Sequence, residues 1–221
     1  MWCIPAASAK YVAAMEHILD LYEQPYHPRR PLICFDETSK QLIQETRHSI
    51  PARSGRIARV DYEYKRNGTR NLFLFFEPLT GQRHVEVTER RTKHDFAHQM
   101  RWLVDVAYPE VECIDVVLDN LNTHTFAALY ETFPPAEARR LSRKLAFHYT
   151  PEHGSWLNMA EIEFSVFHRK LGSRVPNADT LIRKVGAIEQ SRNSSTSTVD
   201  WQFTTPDARI KLKRLYPSYS D

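Results

Sequence analysis

Apolar residues recur along the chain in spacings that predict both helices and strands. The opening stretch repeats them three and four positions apart, which predicts an amphipathic helix on Tyr11, Val12, Met15, Ile18, Leu19 and Tyr22. The segment PYHPRRP then ends this helix, because proline cannot continue it. The apolar run PLICFDE follows and predicts a short buried strand that ends in carboxylates.

The rest of the pattern predicts a mixed sheet with helices around it. Turn signals at Asn67-Gly68 and Thr80-Gly81 within segment 56–88 predict strands joined as a three-strand meander. Helical spacing follows, with Thr92 as a cap, then the strand CIDVVLDN, a helical piece, the strand LAFHYTP and a helix from Leu157 to about Leu171. This order predicts the α/β class, with helices flanking a mixed sheet. The segment SRNSSTSTVD, residues 191–200, predicts a flexible joint.

Composition narrows the class of protein without identifying it. The chain has 221 residues, of which 42% are hydrophobic and 26% charged, so it is expected to fold as one ordinary globular domain. Its cysteines, Cys3, Cys34 and Cys113, are odd in number and far apart, which favours reduced thiols inside a cell. Neither a secretory signal nor a membrane span is predicted, because no apolar run approaches about 18 residues.

Basic residues are gathered in clusters, although the net charge is only +3. Any one cluster is as readily a solvated face as a binding surface, but six together favour phosphate contacts. The C-terminal RIKLKR predicts either a strip that follows a DNA backbone or an edge strand guarded by charge. The clusters are Arg29-Arg30, Arg53 to Arg59, Lys65-Arg66-Arg70, Arg90-Arg91-Lys93, Arg139 to Lys144 and Arg209 to Arg214.

Carboxylates at predicted strand ends are the candidate chemistry. Asp36 and Asp119 each close an apolar strand, a position where side chains leave the packed interior while a rigid strand holds them. Either aspartate alone would more readily be explained as a residue that begins a turn than as a metal ligand. Together with a glutamate on the following helix, they form a set of three hard oxygen ligands that suits Mg²⁺ or Mn²⁺.

The helix after Leu157 carries two glutamates in apolar company, and its periodicity does not choose between them. At about 100° per residue, Glu161 and Glu163 border the apolar face on opposite sides, roughly 160° apart. Both cannot point at one metal ion.

The segments CFDE, LDNLNTHT and YTPEHGSWLNMAEIEF resemble the catalytic domain of DDE-type transposases, in the bacterial insertion-sequence branch of the mariner superfamily. The resemblance implies a ribonuclease-H-like fold, with a mixed five-stranded sheet flanked by helices. It also implies that Asp36, Asp119 and a helix acid bind two divalent metals, Mg²⁺ or Mn²⁺. The Leu157-Asn158 entry matches Glu161 to that acid, which leaves Glu163 a structural role with its stem packed and its head in solvent.

The resemblance further implies metal-dependent DNA cleavage and strand transfer during transposition. Transposon ends and target DNA would be the partners, a homodimer the assembly, and the bacterial nucleoid the location. The alternatives are a nuclease of the same fold that never joins DNA, and an inactive DNA-binding remnant. The 42 positions between Asp119 and Glu161 exceed the usual spacing, which fits an extension around PPAEARRLSRK.

The resemblance divides the chain into an N-terminal helix and linker (1–30), a catalytic domain (31–190) and a C-terminal extension (191–221). Relatives carry a helix-turn-helix region ahead of the catalytic part. We therefore expect a split gene, with an upstream reading-frame product that reads the transposon ends, or a truncated copy.

Polar residues beside the carboxylates are candidate DNA contacts. Those that follow Asp119 are as readily loop and cap residues as groups that orient a ligand or contact a phosphate. Trp156 is more readily a core residue than a base-stacking platform, and Glu37 is expected to be structural because it points to the opposite face of its strand from Asp36. The candidates are Asn120, Asn122, His124, His153, Trp156, Arg169 and Lys170.

Overall fold

Five strands form one sheet in the computed structural model, which describes residues 8–47, 50, 52–57 and 63–218. The strands run in the spatial order β3-β2-β1-β4-β5. The first three pair antiparallel, whereas β1 with β4 and β4 with β5 pair parallel. The predicted mixed sheet is confirmed. The strands are β1 (Leu32–Glu45), β2 (Tyr64–Glu77), β3 (Gln82–Thr88), β4 (Ile114–Leu118) and β5 (Leu145–Tyr149).

Helices cover both faces of the sheet. One apolar cluster joins the sheet to the helices α1, α5 and α6, and the other joins it to α2, α3 and α4. Thr92 caps α2 in a reciprocal capping box with Asp95, as its position before the helix predicts. The helices are α1 (Ala9–Tyr22), α2 (Lys93–Trp102), α3 (Phe126–Thr132), α4 (Pro135–Lys144), α5 (Met159–Leu171), α6 (Ala178–Ser194) and α7 (Thr205–Lys211).

The meander predicted within segment 56–88 is wrong in its bounds, because β2 and β3 lie there while its third strand is β1, earlier in the chain. Its two predicted turns have different outcomes. The turn at Thr80-Gly81 is confirmed, because the Gly81 N–H donates to the Glu77 carbonyl at 2.9 Å and Gly81 has φ +70°. The predicted turn at Asn67-Gly68 is wrong, since both residues lie inside β2. A register shift in the facing part of β1, between Gln41 and Ile43, accommodates this stretch as an irregularity of the ladder.

Both ends of the described chain pack against the sheet's α1 face. The apolar residues of α1 share a cluster with Ala208 and Leu215. The Ser8 N–H donates to the Leu215 carbonyl at 3.2 Å, so the first described residue lies next to the last helical turn. The described chain is therefore packed together from end to end.

Two predictions for the C-terminal region are wrong. RIKLKR is not an edge strand, because Thr204 and Asp207 form a capping box that starts α7, with Pro206 in its first turn. Residues 191–200 are not a free joint, since α6 continues to Ser194. The Asn193 side chain accepts the Arg83 N–H at 3.0 Å and donates to the Arg83 carbonyl at 2.8 Å.

The described cysteines are free thiols. Cys34 is buried, and burial raises its pKa to about 12, while Cys113 is partly buried. Cys3 lies outside the described residues. In the described part of the chain, no helix combines the length and apolar character needed to cross a bilayer.

Candidate active site

The pairing of β1 with β4 places two carboxylates at one edge of the parallel strands. Cys34 is the last β1 residue paired with β4, opposite Val117, and Asp36 follows two residues later. Asp119 comes directly after β4. Asp36 is not at the end of its strand as predicted, because β1 continues to Glu45 in pairing with β2. It stands instead where the neighbouring parallel strand stops.

A buried asparagine fixes the start of α5 beside Asp36. The Asn158 side chain caps the helix by accepting the Ala160 N–H at 3.1 Å, and its amide donates to the Phe35 carbonyl at 2.8 Å. Glu161 therefore enters the site from the first turn of α5. Sequence reasoning treated Asn158 only as a motif position, although asparagine before an apolar helix is itself a capping signal.

Two of the three candidate carboxyl groups, Asp36 and Glu161, have raised pKa values. Burial raises the pKa of Asp36 to about 7, with further contributions from the charges of Glu161, Asp119 and Glu37. Partial burial and the charge of Asp119 also raise the pKa of Glu161. Like charges have been gathered where water screens them poorly.

The donor chemistry of this cluster fits a hard cation, although its side chains do not form a closed site. Among the described residues, no three His, Cys, Asp or Glu side chains are grouped closely enough to hold a metal ion. That Asp36, Asp119 and Glu161 bind two divalent metals stays a prediction. A divalent cation would stabilise the ionised form of Asp36, whose pKa burial and neighbouring carboxylates raise, and carboxylate oxygens are the ligands that Mg²⁺ and Mn²⁺ prefer.

A buried histidine links Asp119 to the other face of β1. The His124 side chain is fully buried, with Nδ1 2.5 Å from Asp119 Oδ1 and Nε2 2.7 Å from Glu37 Oε2. Burial by itself would lower the pKa of His124, but the hydrogen bonds to Asp119 and Glu37 raise it to about 9. The ring can thus donate from both nitrogens at neutral pH. The His124 side chain has no exposed surface with which to contact a phosphate, and its role in orienting a ligand stays a prediction.

Glu163 is buried and ion-paired, so the prediction that its head is solvated is wrong. Its side chain has no exposed surface, and it lies 3.0 Å from Arg83 Nε and 2.5 Å from Arg192 Nη2. Arg83 comes from β3 and Arg192 from α6. Because these two cations neutralise its charge, Glu163 lies in the interior although it borders the apolar face of α5. Glu161, by contrast, is only partly covered and keeps contact with solvent.

The remaining candidate contacts lie in different environments. Asn120, Asn122 and His153 are exposed, and their contact with DNA stays a prediction; Asn120 and His153 line a cleft of about 270 Å³. Trp156 is half-buried, and its indole N–H donates to the Tyr11 hydroxyl at 3.2 Å, which supports a core role. Near the end of α5, two exposed cations also stay candidates: Arg169 and Lys170.

Several predicted basic clusters are engaged by carboxylates. Arg30 binds Asp115 through two nitrogens, Arg140 binds Asp105 in the same way, and Arg209 binds Glu16. These guanidiniums tie elements of the fold together, so the clusters offer less to a polyanion than their sequence indicates. The exposed basic residues on and beside the meander strands are Lys65, Arg66, Arg90 and Arg91.

Solved structures with a similar fold include complexes of the Mos1 transposase. The paired end complex of Mos1 mariner with Mn is 13% identical, with a TM-score of 0.56, over 85% of this chain and 56% of that chain. The paired-end complex with the left transposon end is 12% identical, with a TM-score of 0.53, over 89% of this chain and 64% of that chain. The Mos1 strand transfer complex is 11% identical, with a TM-score of 0.55, over 85% of this chain and 55% of that chain.

These values show a shared ribonuclease-H-like fold, and the chain spans only a little over half the length of those proteins. No curated protein sequence matches the chain. The sequence profile of the family described as DDE superfamily endonuclease matches residues 31–182, more than half of the chain. This range contains all five strands, Asp36, Asp119 and the whole of α5. The chain therefore belongs to the DDE superfamily endonucleases.

Proposed function

We propose that the chain is the catalytic domain of a transposase, of the bacterial insertion-sequence branch, which cleaves DNA and joins the cut strand to a target. The observation that carries the proposal is the placement of Asp36, Asp119 and Glu161. Three separate elements bring them to one edge of a ribonuclease-H-like sheet, in a chain of the DDE superfamily endonucleases. The likeness to Mos1 paired-end and strand-transfer complexes supports joining as well as cutting.

In the proposed reaction, the chain's own residues provide rigidity and charge. Strand β1 holds Asp36 at the end of β4, Asn158 fixes the start of α5 against β1, and His124 holds Asp119. Two divalent ions, Mg²⁺ or Mn²⁺, held by Asp36, Asp119 and Glu161 would help to activate the attacking hydroxyl and stabilise the leaving oxygen. Burial and neighbouring carboxylates raise the pKa values of Asp36 and Glu161, which supports a site that a bound cation would stabilise.

We propose DNA as the partner, with two copies of the chain acting together on paired ends in the bacterial cytoplasm, at the nucleoid. The Mos1 structures are paired-end complexes, one of them with the left transposon end, which supports DNA as the partner. Exposed basic residues on the meander strands and at the end of α5 would contact the phosphates.

The chain is expected to nick DNA and to join precut ends to a target duplex when Mn²⁺ is present. Both reactions should stop in excess chelator, because the carboxylates alone cannot stabilise charge developing at phosphorus. The measurement is gel analysis of labelled precut ends and a plasmid target. Cutting without joining would identify a nuclease of the same fold, binding with neither reaction would identify an inactive remnant, and equal activity in chelator would contradict the metal mechanism.

DNA binding by this chain alone is expected to depend steeply on salt and little on sequence. If about six phosphates are contacted, affinity should fall by about a thousandfold between 50 and 200 mM salt, because phosphate contacts release counterions. Fluorescence anisotropy with one labelled duplex and a scrambled duplex of equal length measures both properties. A strong preference for one duplex at physiological salt would contradict the prediction and reveal a surface that reads sequence.

A further inference from the structure

We infer that Glu37 and His124 are positioning residues for Asp119. The buried imidazole, held by Glu37, fixes the direction in which the Asp119 carboxylate presents its oxygens. This inference rests on the function proposed above, since it assigns the two residues a task in the same site. It also replaces the expectation that Glu37, which points away from Asp36, is only structural.

Asp119 needs such a support because its own surroundings do not fix it. It follows the last residue of β4, and its side chain is 35% exposed. His124 Nδ1 lies 2.5 Å from one of its oxygens, Oδ1, which leaves Oδ2 as the oxygen that can turn toward a cation. The hydrogen bond therefore selects the orientation of the carboxylate.

The imidazole is itself held on all sides. Its ring lies 5.3 Å from the Phe35 ring and 4.8 Å from the Phe96 ring. The Tyr149 hydroxyl donates to the His124 carbonyl at 2.7 Å, which anchors the backbone to β5. Glu37 Oε2 binds the second ring nitrogen at 2.7 Å. A ring so enclosed has a single orientation.

Glu37 provides the link to the sheet. It lies in β1 next to Asp36, in register with Phe73 of β2, and its side chain is 5% exposed. Through Glu37 and His124, the central strand thus supports Asp119 from one face while presenting Asp36 on the other. The same rigid strand therefore positions both aspartates. Partners that orient a metal ligand in this way typically change metal affinity or activity by about 10–100-fold.

The test compares Glu37→Gln with Glu77→Gln, a matched control. Glu77 is also a buried glutamate of the sheet, but it lies at the end of β2, where the hydroxyls of Thr80 and Tyr108 donate to it. Titration with Mn²⁺ alone, followed by the electron paramagnetic resonance signal of free Mn²⁺ at 10 °C, gives the affinity of each folded variant. Glu37→Gln should bind Mn²⁺ about 10–100-fold more weakly than wild type, and Glu77→Gln within twofold.

The kinetic readout separates positioning from a merely structural role. Glu37→Gln should lower kcat for cleavage by about 10–100-fold with KM for DNA unchanged within twofold, whereas loss of packing alone would lower only the melting temperature. Because Glu37 acts through His124, its effect on Mn²⁺ affinity should disappear in a His124→Gln background. If the His124 variant does not fold at 10 °C, the comparison of Glu37→Gln with Glu77→Gln decides.

The outcomes are distinguishable. A wild-type chain that neither binds Mn²⁺ nor cleaves DNA would overturn the proposed function. A wild-type chain that does both, with Glu37→Gln and Glu77→Gln indistinguishable in Mn²⁺ affinity and kcat, would overturn only the positioning role.

Discussion

Replacing Asp36, Asp119 or Glu161 singly with its amide is expected to lower the rate of DNA cleavage roughly a thousandfold or more. An amide keeps the size of the side chain but removes the charge that would hold a divalent ion. The metal contributes several kcal/mol of charge stabilisation in the transition state, and each 1.36 kcal/mol corresponds to about a tenfold change in rate. Single-turnover cleavage of a labelled duplex in Mn²⁺ measures the effect.

The Asp36 and Glu161 substitutions should leave the metal-free chain folded and as stable as wild type or more stable, because both carboxyl groups have raised pKa values. The folded-state pKa of Asp36, about 7, lies above its ordinary value of 3.8. The ionised carboxylate is therefore destabilising, and this cost grows as pH rises from 3.8 to about 7. Asp36→Asn should thus gain stability over wild type across that interval and keep the gain above it.

Asp179→Asn removes an exposed carboxylate from α6 and should cleave within twofold of wild type. Any of the three site variants that keeps more than a tenth of the wild-type rate would remove that residue from the proposed ligands.

Glu163→Gln is expected to lower the free energy of unfolding by about 3–5 kcal/mol, the usual effect of removing one partner from a buried ion pair. Glu163 and Arg83 are both fully buried, and Arg192 is 21% exposed. The amide would leave two cations without their shared counter-charge. For a chain of this size, the melting temperature should fall by roughly 6–20 °C.

Glu161→Gln is the matched comparison, because it makes the same chemical change two residues away on the same helix. Urea unfolding in chelator should separate the variants, with Glu163→Gln strongly destabilised and Glu161→Gln unchanged or stabilised. The melting temperature of Glu163→Gln, although lower than that of wild type, should still rise when Mn²⁺ is added. The melting temperature of Glu161→Gln should rise much less. The reverse pattern would mean that Glu163, rather than Glu161, faces the metal.

The elements that carry the site were predictable from sequence because burial leaves a direct pattern. Strands β1 and β4 are covered on both faces, so the residues that lead up to Asp36 and Asp119 are mostly apolar, with Asp115 as the exception in β4. Helical arithmetic also placed Glu161 and Glu163 on opposite borders of α5. The assignment of Glu161, however, depended on a family motif, since periodicity alone favoured neither glutamate.

The parts that were not predictable depend on contacts between distant residues. The burial of Glu163 is decided by Arg83, which lies 80 positions earlier, and by Arg192, which lies 29 positions later. The link from Glu37 to Asp119 likewise exists only because a loop histidine inserts between Phe35 and Phe96. Local patterns contain no information on such pairings, so a border position was wrongly taken as solvated.

The contact between Ser8 and Leu215 makes this chain suited to optical detection of unfolding. Fluorophores attached near these two positions would lie close together in the native state and transfer energy efficiently. In an unfolded chain of 221 residues, the radius of gyration is roughly 50 Å, so the two dyes would separate and transfer would collapse. Loss of transfer would then report dissociation of α1 from the C-terminal turn in single molecules, without a DNA substrate.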